Sequence, residues 1–265
     1  MTFPEYKHIQ IESDGKTLIV KLNRPELHNA FNEEMIAEIT NAFGIINERE
    51  ERLVVIKGNG KSFCAGADLN WMKKMKDYTE EENLRDAKGL DEMFYAIYTS
   101  KKPVICFVHG GVFGGGTGIL AASDIVICHK DTKFGFTEVK LGLVPAVISS
   151  YLVRKVNYPA LREFCITGGF FDAKTAKEMG LVNYVEEDES AMENRLLTLK
   201  KQLFSVGPRA IEETKKLISY QLENTMEKRR EMAPKVIAKV RISKEGQEGI
   251  TAFLDKRKAN FIIDI

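Results

Sequence analysis

Three short runs rich in Val and Ile, RLVVIKG, KPVICFVHG and DIVICHK, narrow the fold more than any other feature of this chain. Each is too short for a helix of ordinary length and apolar on consecutive positions, as a strand covered on both faces must be. A helix is predicted before the first of them. Asn32 is placed to cap it, and Met35, Ile39, Ala42, Phe43 and Ile46 recur at helical spacing. Ahead of that helix, IQIES and KTLIVKL read as a hairpin around Asp14-Gly15, closed by Asn23-Arg24-Pro25. Strand, helix, strand in that order implies an α/β protein with parallel, crossover-connected strands rather than a sandwich.

Beyond the first apolar run, residues 61–83 read as a polar loop that turns helical only from Leu84 to Tyr98. After KPVICFVHG come VFGGGTGILAAS, a glycine turn opening a short helix, and later KFGFTEV, the start of a new short element. Helical patterns cover residues 148–155 and 159–167, and Asp172 and Gly180 bracket a compact helix over DAKTAKEMG. VNYVEE reads as a last small strand, and past Glu186 everything is helical apart from a break at Gly207-Pro208. Two regions are therefore expected: an α/β core over residues 1–190 and a helical region over 191–265. Ala210, Ile211, Leu217 and Ile218 form an apolar stripe in the second that calls for a partner surface.

Composition removes several classes of function. With 39 basic and 38 acidic side chains there is no basic field of the kind that coats nucleic acid. From Lys200 onward, 15 Lys or Arg face 9 Asp or Glu, which reads first as a solvated helical face. Nucleic acid is thus an improbable partner. Cys64, Cys106, Cys128 and Cys165 lack finger-like spacing, and none of the four histidines sits in a paired-ligand or G-x-S-x-G context. No metal site and no Ser/His/Asp hydrolase is expected. The N-terminal stretch lacks an apolar or transit-like segment and no run is long enough to span a bilayer, so the expected location is cytoplasmic with no membrane partner.

Two glycine-rich turns follow buried strands, CAGADL at residues 64–69 and FGGGTG at 113–118. Neither is a Walker loop, and neither has a strong dinucleotide fingerprint. Glycine lets a ligand atom approach backbone N–H groups, and a helix N-terminus suits an oxygen carrying developing negative charge. Two such N–H groups facing one cleft would form an oxyanion hole.

Five blocks in order, KSFCAGADL, HGGVFGGGTGILAASDIVI, FGFTEVKLGLVP, TGGFFDAKTAKEMGLVN and EGITAFLDKRKANF, resemble the signature segments of the crotonase (enoyl-CoA hydratase/isomerase) family. The likeness runs from about Ile11 to the end. It implies a spiral of repeated ββα units, a C-terminal helical region used in subunit contacts, and a homo-trimer or dimer of trimers. It also implies an acyl-CoA substrate, and no cofactor beyond the coenzyme A moiety of that substrate.

Carried over by block, the resemblance makes the Ala67 and Gly115 N–H groups the oxyanion hole and Glu138, in Thr137-Glu138-Val139, the catalytic acid/base. It places Leu27, His28, Ala65, Asp68, Leu69, Phe253 and Lys256 along the coenzyme A moiety. Asp68 also reads as a helix cap, and that reading is preferred for its side chain. Two-glutamate hydratases of the family carry a second carboxylate where this chain has Gly118 in GGGTG. TEVKLGLVPAVIS together with GGGTG is most similar to the methylglutaconyl-CoA hydratase-like branch. The expected activity is that of a hydratase (hydro-lyase) acting on a short, branched or carboxylated enoyl-CoA. An isomerase using one glutamate and a non-catalytic acyl-CoA-binding protein are the rivals.

Overall fold

The structure, a computed structural model, describes residues 2–265. The chain divides into two compact units, one running through Arg195 and the other from Leu196 to Ile265.

In the first unit, β1 (Ile9–Asp14) and β2 (Thr17–Leu22) form an antiparallel hairpin whose corner is Gly15-Lys16, one residue later than expected. β2 then pairs in parallel with β3 (Leu53–Gly58), β3 with β4 (Val104–Val108), β4 with β6 (Ile125–His129) and β6 with β9 (Tyr184–Glu186). A second sheet joins β5 (Gly111–Phe113), β7 (Lys133–Gly135) and β8 (Phe170–Asp172). From β4 to β7 the chain passes between the two sheets, with β4 and β6 in the large one and β5 and β7 in the small one. That alternation is the spiral of ββα units. The β4 and β3 runs are apolar on both sides because β4 is buried along its whole length and β3 over its first four residues.

Helix α1 (Glu33–Ile46) starts where Asn32 accepts the Met35 N–H at 2.9 Å. It buries Met35, Ile39, Ala42, Phe43 and Ile46, the stripe expected from spacing. The segment expected to be loop is instead helical in two pieces, α2 (Leu69–Met75) and α3 (Glu80–Tyr98). Both begin at side-chain caps. Asp68 accepts from Asn70 and Trp71, and Thr79 forms a reciprocal capping box with Glu82. The T-x-x-E signal was present in the sequence and outweighed the weak apolar periodicity after it. Next come α4 (Gly115–Ala122), α5 (Ala146–Leu152), α6 (Tyr158–Thr167) and α7 (Ala173–Glu178). Asp172 caps α7 through the Thr175 N–H, and Gly180 follows it at φ 94°. Strand β8 was not expected; its three residues carry too little pattern to register.

The second unit holds most of α8 (Glu189–Phe204), then α9 (Pro208–Glu223), α10 (Met226–Arg241) and α11 (Lys244–Leu254). Glu245 accepts the Arg209 and Ala210 N–H groups at 3.0 and 2.8 Å, which satisfies the open end of α9 after the Gly207-Pro208 break. The stripe on α9 stays largely uncovered: Ala210 and Ile218 are exposed and Ile211 and Leu217 half-buried, while the buried residue is Glu212, paired with Arg209 and Lys216. No helix among the described residues is long and apolar enough to cross a membrane.

Candidate active site

Residues 63–68 lie between two neighbours. On one side Cys64 donates to the Gly111 carbonyl (3.2 Å) and accepts from the Phe113 N–H (3.0 Å). On the other, the Ala65 N–H reaches the His28 carbonyl (3.0 Å), and Phe31 bonds both Gly66 (2.7 Å) and Asp68 (2.8 Å). Because Gly66 and Asp68 both spend their groups on Phe31, the bridge between Phe31 and Ala67 turns the Ala67 N–H to the opposite side. Gly115 opens α4, so its N–H has no partner within the helix. Among the described residues neither N–H donates to a protein acceptor. Ala67 is exposed and Gly115 half-buried, whereas Gly66, Asp68 and Gly116 around them are buried.

Phe31 braces both turns at once. Its backbone holds the Ala67 turn, and its ring lies behind Gly115, where a Cβ would fall 2.8 Å from Phe31 Cε2. A larger residue at 115 would therefore press on this ring instead of filling the cleft. The cleft side belongs to Gly114, at φ 49°, ψ −122°: a Cβ there would stand 3.5 Å from Glu138 Oε1 and 3.9 Å from Gly66 Cα. The loop before Phe31 is held by Arg24, whose guanidinium reaches the Ala30 carbonyl (2.6 Å) and Asp68 Oδ2 (2.7 Å). Asn29 adds bonds to the Asn59 and Ser62 carbonyls, both at 2.8 Å. The Asp68 carboxylate is committed to Arg24 and to its cap, and it is buried, so its side chain serves the turn and has no oxygen to spare for a phosphate. Arg24, Asn29 and Phe31 carried no chemical signal in the sequence, where N-R-P merely ended a strand.

Glu138 begins a short 3-10 turn (Glu138–Leu141) after β7. It is half-buried, and its Oε2 is covered with no hydrogen-bond partner among the described residues. Burial pushes its pKa above the usual carboxylate range, and its own backbone N–H offsets only part of that. A carboxyl group raised in this way is suited to take up and release a proton during a reaction. Its charge also reaches Cys165, whose thiol is pushed up to about 11 chiefly by burial and further by Glu138. Cys165 lines a groove of about 420 Å³ with Val144, Pro145, Ala146, Leu161 and Ile166, and Arg162 is the one charged residue of its lining.

The place of the second carboxylate is filled. A Cβ on Gly118 would lie 2.5 Å from Phe94 Cζ and 2.8 Å from Ile148 Cγ2, both fully or almost fully buried. Gly118→Glu is accordingly expected to lower stability by about 3 kcal/mol, the upper range for overpacking a core, without raising turnover. A melting curve beside a hydration assay checks it, and a stable, faster variant would show that the space is open.

The remaining expected residues are distributed as follows. Leu27, His28, Ala65 and Leu69 are exposed around the Ala67 turn, with His28 at φ 51° and its ring 3.1 Å from Ser62 Oγ. Phe253 and Lys256 lie in the second unit at the end of α11, Phe253 83% exposed and Lys256 exposed at φ 54°. His109 contacts the Gly60 carbonyl at 2.8 Å. Asp124 accepts the Val104 N–H (2.7 Å) and is exposed. No group of three metal-ligating side chains occurs among the described residues.

The enoyl-CoA hydratase/isomerase family profile matches residues 12–262. The chain belongs to that family. As an enoyl-CoA hydratase/isomerase family enzyme it is 34% identical to a putative enoyl-CoA hydratase of Thermus thermophilus, over 96% of this chain and all of the relative. It is 30% identical to a crotonyl-CoA hydratase of Syntrophomonas wolfei, over 97% and 98%. A crystal structure of an enoyl-CoA hydratase from Shewanella pealeana superposes with a TM-score of 0.92 at 33% identity, covering 97% of this chain and 96% of that one. The fold of this family enzyme is therefore the crotonase fold, a mixed α/β spiral with a helical C-terminal region.

Proposed function

We propose that the chain is a hydro-lyase that adds water to, or removes it from, the Cα–Cβ bond of a short enoyl-CoA with Glu138 as its only proton-transfer group. The Ala67 and Gly115 N–H groups would hold the thioester oxygen as it gains negative charge. In the hydration direction Glu138 takes a proton from water while the water oxygen bonds to Cβ and the double-bond electrons move onto the thioester. The same carboxyl then returns the proton to Cα. The observation that carries this reading is the Glu138 carboxyl, whose Oε2 is covered and unpartnered and whose Oε1 lies 3.5 Å from where a Cβ on Gly114 would stand. The apolar groove beside Cys165 suits a short, branched acyl group, and Arg162 at its edge suits one that ends in a carboxylate. No metal or redox group enters this chemistry.

One observation favours a second reading: Phe94 and Ile148 leave no second carboxylate at position 118, and a single carboxyl is enough to shuttle one proton in an isomerase. Incubation with crotonyl-CoA and methylglutaconyl-CoA in heavy-oxygen water, followed by enoyl absorbance and product mass, separates the two. Oxygen uptake with loss of absorbance is expected. Double-bond migration without oxygen uptake would establish isomerisation, and binding without any conversion would leave a non-catalytic acyl-CoA-binding protein.

Exposed Ile218, Leu222, Ile237, Ile242, Phe253 and Leu254 in the second unit are the basis for proposing assembly into a homo-trimer or a dimer of trimers, in a cytoplasmic setting. Lys256 would contribute a cation to the coenzyme A phosphates. Lys256→Ala should weaken CoA-ester binding several-fold at low salt and progressively less as salt rises, with the assembly unchanged by light scattering. A salt-independent affinity would remove Lys256 from the binding site.

A further inference from the structure

Helix α4 has a second hold at its other end. Its C-terminal carbonyls would be without helical partners, yet the ammonium of Lys155, in the turn after α5, donates to the Leu120 and Ser123 carbonyls at 2.8 Å each. Among the described residues no carboxylate pairs with Lys155 at salt-bridge distance. The groups facing it are the Asp124 carboxylate, which accepts the Val104 N–H, and the Cys106 thiol of β4, held neutral by a pKa pushed up to about 12. The Ser123 hydroxyl donates to Ile119, so it offers the ammonium no lone competitor for the two carbonyls. A charge placed here without an ion pair is costly, and none of the strands needs it to close its ladder.

We propose that Lys155 is a positioning residue for the thioester site: by gripping the C-terminal carbonyls of α4 it holds that helix, and with it the Gly115 N–H, in register with Phe31 and the Ala67 turn. The inference rests on reading Gly115 as a donor to the thioester oxygen. Helix α4 is eight residues long, about 12 Å at the usual rise, so a hold at one end is transmitted to the other as a rigid shift. The positive charge also lies at the negative end of the helix and reinforces the field at its N-terminus. Burial pulls the Lys155 pKa down to about 8. Above that pH the ammonium loses its charge, its hydrogen bonds weaken, and α4 is held less firmly. The deprotonated lysine is favoured in the fold relative to the unfolded chain, so stability contributed by this group rises with pH between about 8 and its ordinary value. Alkaline loss of activity from this source would thus come without alkaline unfolding.

The test follows the full-length protein labelled with ¹⁵N-glycine, together with steady-state kinetics on crotonyl-CoA. The Gly115 amide resonance of the wild type should move with a midpoint near pH 8, and Lys155→Met should abolish that movement. The same variant should lower kcat about tenfold, the scale of a partly buried cation at a helix end, with KM within about twofold and the alkaline limb near pH 8 gone. Lys155→Gln, which keeps a donor but no charge, supplies the same comparison if the methionine variant does not fold. A Gly115 resonance indifferent to Lys155, or a variant with wild-type kcat and an unchanged alkaline limb, would overturn the proposal. A wild type that converts no enoyl-CoA while Gly115 still titrates with Lys155 would instead overturn the reading of the site and leave the mechanical coupling standing.

Discussion

Glu138→Gln should lower turnover by roughly 10²- to 10⁴-fold, the usual scale for losing a general acid–base group, with acyl-CoA affinity changed little. Glutamine keeps the shape and polarity of the side chain in its half-buried place after β7 and removes only proton exchange. No second carboxylate stands at position 118 to take over. The wild-type rate should rise with pH through the raised pKa of Glu138, because the base form must be present to accept the proton, and this limb should vanish in the variant. The sign for stability is opposite. A carboxyl whose folded pKa is raised favours the fold when protonated, and that contribution is lost as pH climbs from its ordinary value through the folded one. Glu138→Gln removes the cost of a desolvated charge, so its melting temperature at neutral pH should be at least that of the wild type. A variant within threefold of wild-type turnover would exclude Glu138 as the acid/base.

Gly114→Ala is expected to cost about 10²- to 10³-fold in kcat, comparable to losing one oxyanion-hole donor. Two effects act together. The backbone at φ 49°, ψ −122° is one that an L residue adopts only under strain, and relaxing it would rotate the peptide that carries the Gly115 N–H. The added methyl would also stand between Glu138 Oε1 and Gly66, within the space the substrate must enter. Gly44→Ala, in α1 with nothing within 4 Å of its Cβ, is the control and should leave kcat unchanged. Circular dichroism and melting separate strain from chemistry: a folded, inactive Gly114→Ala supports the site, and a folded variant with wild-type kcat contradicts it.

The sequence by itself determined the α/β order of the core, the hairpin, the α1 stripe and the caps at Asn32, Asp172 and Gly180, because each depends on residues within a few positions of one another. It also marked both glycine turns and Glu138, since the order of the motif blocks survives in a linear chain. The helices α2 and α3 were written there too, in the caps Asp68 and Thr79, but were obscured by a weakly apolar pattern. Only the tertiary structure decided which way each glycine faces. Gly114 opens on Glu138, Gly115 backs onto Phe31, and Gly118 is closed by Phe94 and Ile148, side chains supplied by α3 and α5 rather than by the turn itself. The same holds for the bracing of the Ala67 turn by Arg24 and Phe31 and for the lysine behind α4. Those contacts join residues separated by tens of positions, so their energy depends on the packed fold, and no local spacing in the chain could announce them.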